Sequence, residues 1–373
     1  MDAIVEEFNR QHPDIRVNST LLEWGEYYTK LMTGIATGNA PDVAVAHTAR
    51  IPELVEEGLL QPLDNLADLA RVDWNTFNQT ILDATVVDGQ HYAVPIDTHP
   101  IVFYYNKAYV REAGLLDEND NLILENTPEG FVRFLATLQE SLPDNVFTAS
   151  IPTGGDDPYR IWWSFYRQMD GSPMFSDDLR QITLDKDKAI RAAEYMLDMY
   201  YKYEFIPLHL QDTYESFQNG RAATIITGVW ATGIWEITEG LEFGVIPFPQ
   251  VFGQPGQWAD SHTLVLPYQR RADQAKMEAA ITFADFVASN GDLWARAGHV
   301  PSKVTVLDKP EFQALPYRSD YAASADFAEY DAWGPKAGAV RAAAIRNLDT
   351  IWAKTSTPEQ AIDNMIAEIR AIR

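Results

Sequence analysis

The spacing of apolar and polar positions near the start of the chain predicts a helix followed by a short buried strand. After Trp24, apolar side chains recur at helical spacing, at Tyr28, Leu31, Met32 and Ile35. Gly38 tolerates a positive φ and is expected to end this helix. Pro41 then favours an extended entry into the apolar run 43–45, which has the composition of a strand covered on both faces. A second helix is expected to close at Gly58.

The same kind of pattern continues along the chain. Helices are predicted from residue 1, from the Thr127-Pro128 cap, over 190–200, over 279–287 and from about residue 337. Strands are predicted to begin at 13–17 and to lie over 91–95, 101–107 and 261–267. The segment 217–226 is expected to lead into a further strand that ends at 227–230. We expect a turn at 88–90, and a linker between domains at 243–249 with 253–257. This alternation indicates an α/β protein.

Length and charge narrow the class of protein. A chain of 373 residues suggests two or three domains. The net charge of −25 disfavours nucleic acid and anionic lipid as partners. The absence of cysteine excludes disulfides and thiolate metal sites. No apolar run reaches the roughly 18 residues that a membrane span needs.

Motifs of common enzymes are absent from the sequence. It contains no P-loop, GxGxxG, HExxH or GxSxG pattern, and its seven histidines do not follow metal-ligand spacing. The segment 117–121 imitates the opening of a calcium loop, but Leu122 stands where that loop needs glycine. A solvated turn is therefore the favoured interpretation, and we expect neither a metal site nor a cofactor.

Several loose motifs occur in a fixed order along the chain. They are GNAPDV at 38–43, GLLQPLD at 58–64, YAVP at 92–95, YYNK at 104–107 and GVIPFP at 244–249. In this order they resemble extracellular solute-binding protein family 1, whose members serve ABC importers and mostly bind sugars. The resemblance implies a two-lobed periplasmic-binding-protein-like (type II) α/β fold with a ligand cleft between the lobes. It places 1–107 with 262–310 in the N-terminal lobe and 108–261 with 311–373 in the C-terminal lobe.

The chain departs from the family pattern at its beginning. In the family a signal peptide and a first strand precede the first helix, whereas here the helical pattern opens at residue 1. We therefore expect an upstream strand and an export signal that this sequence does not include. The alternative is that another segment fills the place of the first strand in the sheet.

Aromatic side chains are the strongest candidates for carbohydrate contact, because indole faces cover the apolar faces of sugar rings. Trp230 follows Gly228 at a strand end and resembles the family's stacking tryptophan, and Trp258 lies near a predicted crossing between lobes. Trp24 is either a ligand contact or the core anchor of its helix. Trp162 and Trp163 point about 100° apart on one helix, so at most one faces a ligand, and we select Trp163. Core positions are expected for the tryptophans that lie within helical patterns, Trp235, Trp294 and Trp352.

Polar side chains near predicted strand ends complete the set, since they form directional bonds to sugar hydroxyls. His47 and Thr48 follow a strand, where ligands bind in open α/β sheets. Asp97 and Thr98 resemble the family's polar clamp. The remaining candidates are Asp157, Asp260 and His262. For each histidine the alternative is a hydrogen-bonded scaffold residue, and for Asp157 it is a helix cap.

The sequence thus predicts the substrate-binding component of an ABC importer. It would capture a mono- or oligosaccharide by hinge closure and deliver it to the permease subunits, without catalysis. We expect an extracytoplasmic monomer, periplasmic or a cell-surface lipoprotein, that meets the membrane only through the permease or a lipid anchor. One alternative is a carbohydrate-active enzyme with paired carboxylates. The other is a ferric-iron or anion binder of the same fold, although strand alternation sends Tyr104 and Tyr105 to opposite faces.

Overall fold

The structure, a computed structural model, describes residues 1–176, 179–208, 210, 212–331 and 334–372. The chain divides into two compact units. Unit 1 comprises Met1–His99, Asp260–Arg318 and Tyr330–Ala337, and unit 2 comprises Pro100–Ala259, Ser319–Glu329 and Gly338–Arg373. Each unit is therefore assembled from three separate stretches of chain. The lobe boundaries inferred from the resemblance stay a prediction.

Helices and strands alternate through most of the described residues. The helices are Asp2–Gln11 (α1), Trp24–Thr37 (α2), Ile51–Glu56 (α3), Asp64–Ala70 (α4), Gln79–Asp83 (α5), Lys107–Glu112 (α6), Pro128–Ser141 (α7), Asp156–Gln168 (α8), Lys186–Tyr201 (α9), Thr213–Gln218 (α10), Thr232–Glu236 (α11), Gln274–Ser289 (α12), Gly291–Ala295 (α13), Val304–Leu307 (α14), Pro310–Gln313 (α15), Arg318–Tyr321 (α16), Ala337–Trp352 (α17) and Pro358–Ile372 (α18). The strands are Ala44–His47 (β1), Val86–Val87 (β2), Gln90–His91 (β3), Ala93–Pro95 (β4), Asp97–Asn106 (β5), Phe147–Ser150 (β6), Ala222–Gly228 (β7), Phe243–Pro247 (β8), Gln257–Asp260 (β9), His262–Val265 (β10), Val300–Pro301 (β11) and Ala328–Glu329 (β12).

Unit 1 is organised around a small antiparallel sheet in the order β1, β10, β4. Helix α1 buries Ile4, Val5 and Phe8 in a cluster with side chains of α4 and α12. Helix α2 packs Leu31 and Ile35 in a second cluster with apolar side chains of β1 and α3. The sheet is thus held between apolar helix faces, as the spacing of the apolar residues predicts.

Several local predictions in unit 1 are confirmed. Helix α2 ends at Gly38, which has a φ of 78° and occupies the left-handed region. Asp88 and Gly89 both have positive φ and form the predicted turn between β2 and β3.

The predicted strand at 13–17 is wrong, since no strand occurs between α1 and α2. The backbone N–H of Val17 donates to Oδ1 of Asn9 at 2.8 Å, and Nδ2 of Asn9 donates to the Val17 carbonyl at 2.9 Å. One asparagine side chain therefore takes both backbone groups that a sheet partner would otherwise bond.

Unit 2 is organised around the long strand β5. Residues 101–105 of this strand pair antiparallel with β7, and residues 102–106 pair antiparallel with β8. Strand β6 joins β7 in parallel. The described residues of β5 are buried along the whole strand, as expected for the centre of a covered sheet.

The interpretation of 243–249 as a linker is wrong, because residues 243–247 form strand β8. Gly244 faces Tyr105 across the pair, and a Cβ at residue 244 would lie 2.2 Å from Cζ of that ring. The glycine and prolines that suggest a linker instead mark close approach of a neighbouring ring and the end of a strand.

The predicted helices of unit 2 are confirmed. The Thr127 hydroxyl accepts a hydrogen bond from the Gly130 N–H at 2.9 Å and caps α7. The tail forms α17 and α18, and α18 packs on α9.

Candidate functional site

Strand register in unit 1 gathers four histidines that are distant in sequence. His47 of β1 lies directly opposite His262 of β10. Asp97 and His99 share one face of β5, because successive side chains of a strand alternate. Strand β11 pairs Val300 with Thr98, which brings His299 beside His99. We call these four histidines, with Asp97 and Asp260, the histidine cluster.

The carboxylate of Asp97 lies at the centre of the histidine cluster and is fully buried. Its Oδ1 accepts from the His262 backbone N–H at 2.9 Å and lies 3.1 Å from Nδ1 of His99. Its Oδ2 lies 2.8 Å from Nδ1 of His262 and accepts from the Trp294 indole N–H at 2.5 Å. Both oxygens are therefore satisfied within unit 1, as a buried carboxylate requires.

Burial and the Asp97 charge act oppositely on the imidazoles. Burial lowers the pKa of His47 and of His299 to about 3, and it also lowers the pKa of His99. Burial alone would also lower the pKa of His262, but the charge and hydrogen bond of Asp97 outweigh it and raise that pKa. The cluster thus holds one imidazole that favours the cation and three that favour the neutral form.

Asp260 organises the other side of the cluster. The Thr48 hydroxyl donates to Oδ1 of Asp260 at 2.5 Å, and the Thr98 hydroxyl donates to the Asp260 carbonyl at 3.2 Å. The Tyr330 hydroxyl in turn donates to the Thr98 hydroxyl at 2.8 Å. The structure therefore brings together the predicted residues of unit 1, which are His47, Thr48, Asp97, Thr98, Asp260 and His262.

Sequence reasoning missed three members of this region: His99, His299 and Trp294. Trp294 was expected in the core, but it is only partly buried and its indole N–H binds Asp97. The expectation of core positions is confirmed for Trp235 and Trp352, each 1% exposed. A usable signal was the spacing of Asp97 and His99, which places both side chains on one strand face.

Unit 2 contains a closed ring of interactions around Trp230. The Trp230 indole N–H donates to the Tyr214 hydroxyl at 3.0 Å, and that hydroxyl lies 2.6 Å from the hydroxyl of Thr227. Thr227 donates to Oδ2 of Asp157 at 3.5 Å, and Oδ1 of Asp157 accepts from Arg160 at 2.6 Å. The Arg160 guanidinium then lies 5.0 Å from the Trp230 ring centroid. The indole, which stays partly exposed, is thereby fixed in one orientation.

A second indole of unit 2, Trp258, lies against two cations. The guanidinium of Arg160 is 4.5 Å from its ring centroid and that of Arg341 is 5.2 Å away. Trp258 is 1% exposed, and the backbone N–H donates to the Ser164 hydroxyl at 2.8 Å. Arg160 therefore connects the predicted residues Asp157, Trp230 and Trp258.

The alternative interpretation of Asp157 as a helix cap is wrong. Gly155, with a φ of 86°, occupies the cap of α8, and no side chain caps this helix. Asp156 binds Arg341 at 2.8 Å, whereas Asp157 binds Arg160. Burial raises the pKa of Asp157 despite the neighbouring Arg160 charge.

The remaining predicted residues are not joined to either cluster by a described contact. Trp163 is 2% exposed and lies near the rings of Trp162 and Tyr166. Trp162 is also buried, and its indole N–H donates to the Ala189 carbonyl at 3.0 Å. Trp24 is the first residue of α2, but its side chain lies outside the described residues.

Comparison with known proteins supports the resemblance. The family model for bacterial extracellular solute-binding proteins matches residues 1–293. The chain belongs to this family. Within the described residues, no helix is long and apolar enough to cross a membrane.

Relatives of this solute-binding protein include oligosaccharide binders. The maltotriose-binding protein of Pyrococcus abyssi is 23% identical over 353 residues, which cover 91% of this chain and 71% of the relative. The arabinooligosaccharide-binding protein of Halalkalibacterium halodurans is 24% identical over 334 residues, which cover 84% of this chain and 70% of the relative.

A solved structure shows the same fold. The GacH receptor of Streptomyces glaucescens, solved unliganded and with acarbose, superposes with a TM-score of 0.83 at 19% identity. The match covers 100% of this chain and 94% of that one. The predicted two-lobed α/β solute-binding fold is thereby confirmed.

Proposed function

We propose that this solute-binding protein captures a carbohydrate for an ABC importer. The observation that carries the proposal is the fixed, partly exposed indole of Trp230 in a chain of this family. An oriented indole offers a rigid face to the C–H surface of a sugar ring. Covering about 50 Å² of apolar surface contributes roughly 1 kcal/mol, so several such contacts are needed for micromolar affinity.

Charged groups beside the indole suit hydroxyl recognition. The Asp157–Arg160 pair is mostly buried and borders the Trp230 ring. Hydrogen bonds between ionised side chains and hydroxyls are stronger than those between neutral groups. We propose Asp157 and Trp230 as direct contacts in unit 2. The proposed contacts in unit 1 are His47 and Thr48, with Thr98 and Asp260 orienting them.

In this proposal, Trp258 and Trp163 support the binding residues without contacting the sugar. Trp258 holds Arg160 in place through ring contact, and Trp163 contributes to the packing of α8. Asp97 and His262 bond to each other inside unit 1, so their predicted contact with sugar stays a prediction. The same holds for Trp24.

Capture without catalysis is part of the proposal. The maltotriose-binding and arabinooligosaccharide-binding relatives are binding proteins, and a binding protein releases its ligand unchanged. We propose delivery to permease subunits outside the cytoplasm by a monomeric protein, with hinge closure over the ligand. Incubation with oligosaccharides is expected to release no cleavage product, whereas cleavage would favour the carbohydrate-active enzyme.

A thermal-shift screen over mono-, di- and oligosaccharides tests the proposed function. A ligand present at 100 times its dissociation constant adds about 2.7 kcal/mol to the free energy of unfolding, so a true ligand raises the melting temperature. Calorimetry on each hit is expected to give one site per chain. Polyols of equal concentration serve as controls for solvent effects. If maltose, maltodextrins, arabinooligosaccharides and simple sugars all leave the melting temperature unchanged, the proposal fails.

A further inference from the structure

We propose that the histidine cluster of unit 1 binds one zinc ion through Asp97, His99, His262 and His299. Each of these side chains offers one ligand atom, and the four atoms lie within 4.8 Å of one another. Three imidazoles and one carboxylate form a ligand set that suits zinc, which takes nitrogen and oxygen ligands in a tetrahedron. The proposal does not depend on which sugar the protein binds.

The side chains need little movement to reach zinc geometry. Zinc–nitrogen distances of about 2.0–2.1 Å place tetrahedral ligand atoms about 3.3 Å apart. The ring centroid of His262 lies 4.4 Å from that of His99 and 5.2 Å from that of His299. Ligand atoms within 4.8 Å therefore converge by about 1.5 Å or less, which side-chain torsions supply.

His299 provides an independent indication of a ligand. The side chain is 6% exposed, and its Nδ1 is buried without a hydrogen-bond partner among the described residues. A buried polar atom of this kind costs free energy unless something binds it. A metal ion at the centre of the cluster gives the imidazole a partner.

The charge of the cluster also fits a divalent cation. Two buried carboxylates, Asp97 and Asp260, with exposed fractions of 0% and 4%, belong to overlapping groups of possible metal ligands that share His99. Buried charges need compensation, and one zinc ion balances both. Trp294 keeps its hydrogen bond to Oδ2 of Asp97, the kind of contact that orients a carboxylate ligand.

The proposed ion would join distant parts of the chain. Its ligands come from β5, from β10 and from the residue before β11. His262 follows Asp97 by 165 residues in sequence, so one ion would connect parts of the chain that are far apart along it. Zinc is therefore expected to stabilise unit 1.

The experiment is zinc titration of the full chain after removal of metal with a chelator. We expect calorimetry to give one zinc per chain, and zinc to raise the melting temperature without any sugar present. The variant His299→Gln is expected to lose more than about tenfold in zinc affinity, since even residues behind the ligands contribute about 10–100-fold. His262→Gln is a second ligand variant in case the first one does not fold in the chelator.

Two other histidines provide matched controls. His91 lies outside the cluster, bonded to Asp64, so His91→Gln is expected to keep zinc affinity. His47 belongs to an overlapping set with His99 and Asp260, so His47→Gln separates the two possible ligand sets. The proposal is overturned if the wild-type chain takes up no zinc. It is also overturned if the folded His299→Gln chain binds zinc like the wild type, or if His47→Gln alone abolishes binding.

Discussion

At the residue scale, Asp97 has bonding partners that its sequence context does not indicate. The family resemblance implies that it belongs to a polar clamp for sugar hydroxyls. In the structure its two oxygens bond His262, Trp294 and His99, all within unit 1. Its partners were not recognisable, because two of them lie about 165 and 197 residues away.

Trp230 gives the sharpest prediction at this scale. Trp230→Ala is expected to weaken carbohydrate binding by at least about tenfold, or ~1.4 kcal/mol, because the oriented indole face is lost. The melting temperature without ligand should change little, since the ring is only partly buried. Isothermal titration with the best ligand from the screen measures the effect.

Trp74→Ala is the matched control for this substitution. Trp74 is also partly buried and stacks on His91 at 4.5 Å, but it lies outside the proposed contacts. Affinity should stay at the wild-type value in this control. Equal losses in the two variants, or no loss in Trp230→Ala, would contradict a stacking role for Trp230.

At the element scale, the turn that follows β7 positions the indole. Strand β7 ends at Gly228, and a short 3₁₀ helix, Val229–Ala231, carries Trp230. A Cβ at residue 228 would lie 1.9 Å from Cζ3 of the Trp230 ring. Glycine is therefore required because the indole folds back onto its own strand.

Gly228→Ala is expected to displace the indole without removing it. The added methyl group overpacks the turn and should lower the free energy of unfolding by about 1–3 kcal/mol. Carbohydrate affinity should fall as well, which urea unfolding and calorimetry together measure. Gly25→Ala is the control, since a Cβ there meets no atom within 4 Å. Unchanged stability and affinity in Gly228→Ala would show that the ring adapts and that its orientation is not fixed by this turn.

At the scale of the whole molecule, the excess of acidic residues is the dominant electrostatic feature. The net charge of −25 on 373 residues disfavours the compact state through self-repulsion. Isolated surface ion pairs, such as Lys30 with Glu26, contribute little against it.

Moderate salt is therefore expected to stabilise the protein. Raising sodium chloride from 0.01 to 0.15 M shortens the Debye length from about 30 to about 8 Å and screens the repulsion. The melting temperature should rise over this range in scanning calorimetry. Potassium chloride at equal concentration should give the same rise, because screening depends on ionic strength and not on the cation. A melting temperature that stays constant or falls would show that local ion pairs outweigh the net charge.

The sequence by itself determined features that depend on neighbouring residues. The spacing of apolar residues predicts the buried faces of the helices. The conformational preferences of single residues predict the Thr127 cap, the helix end at Gly38 and the turn at Asp88. The ordered motifs also indicated the family, because they recur along one chain in a fixed succession.

Only the tertiary structure decided which distant residues meet. Strand pairing joined His47 to His262 and placed His299 beside His99, and no local pattern encodes such a register. The same reason explains the strand at 243–247, whose glycine and prolines favour a loop until β5 supplies a partner. It also explains residues 13–17, where the side chain of Asn9 bonds the backbone of Val17 and no strand forms. Local propensity favours a helix or a strand. Whether a strand forms depends on the partner that hydrogen-bonds to its backbone groups.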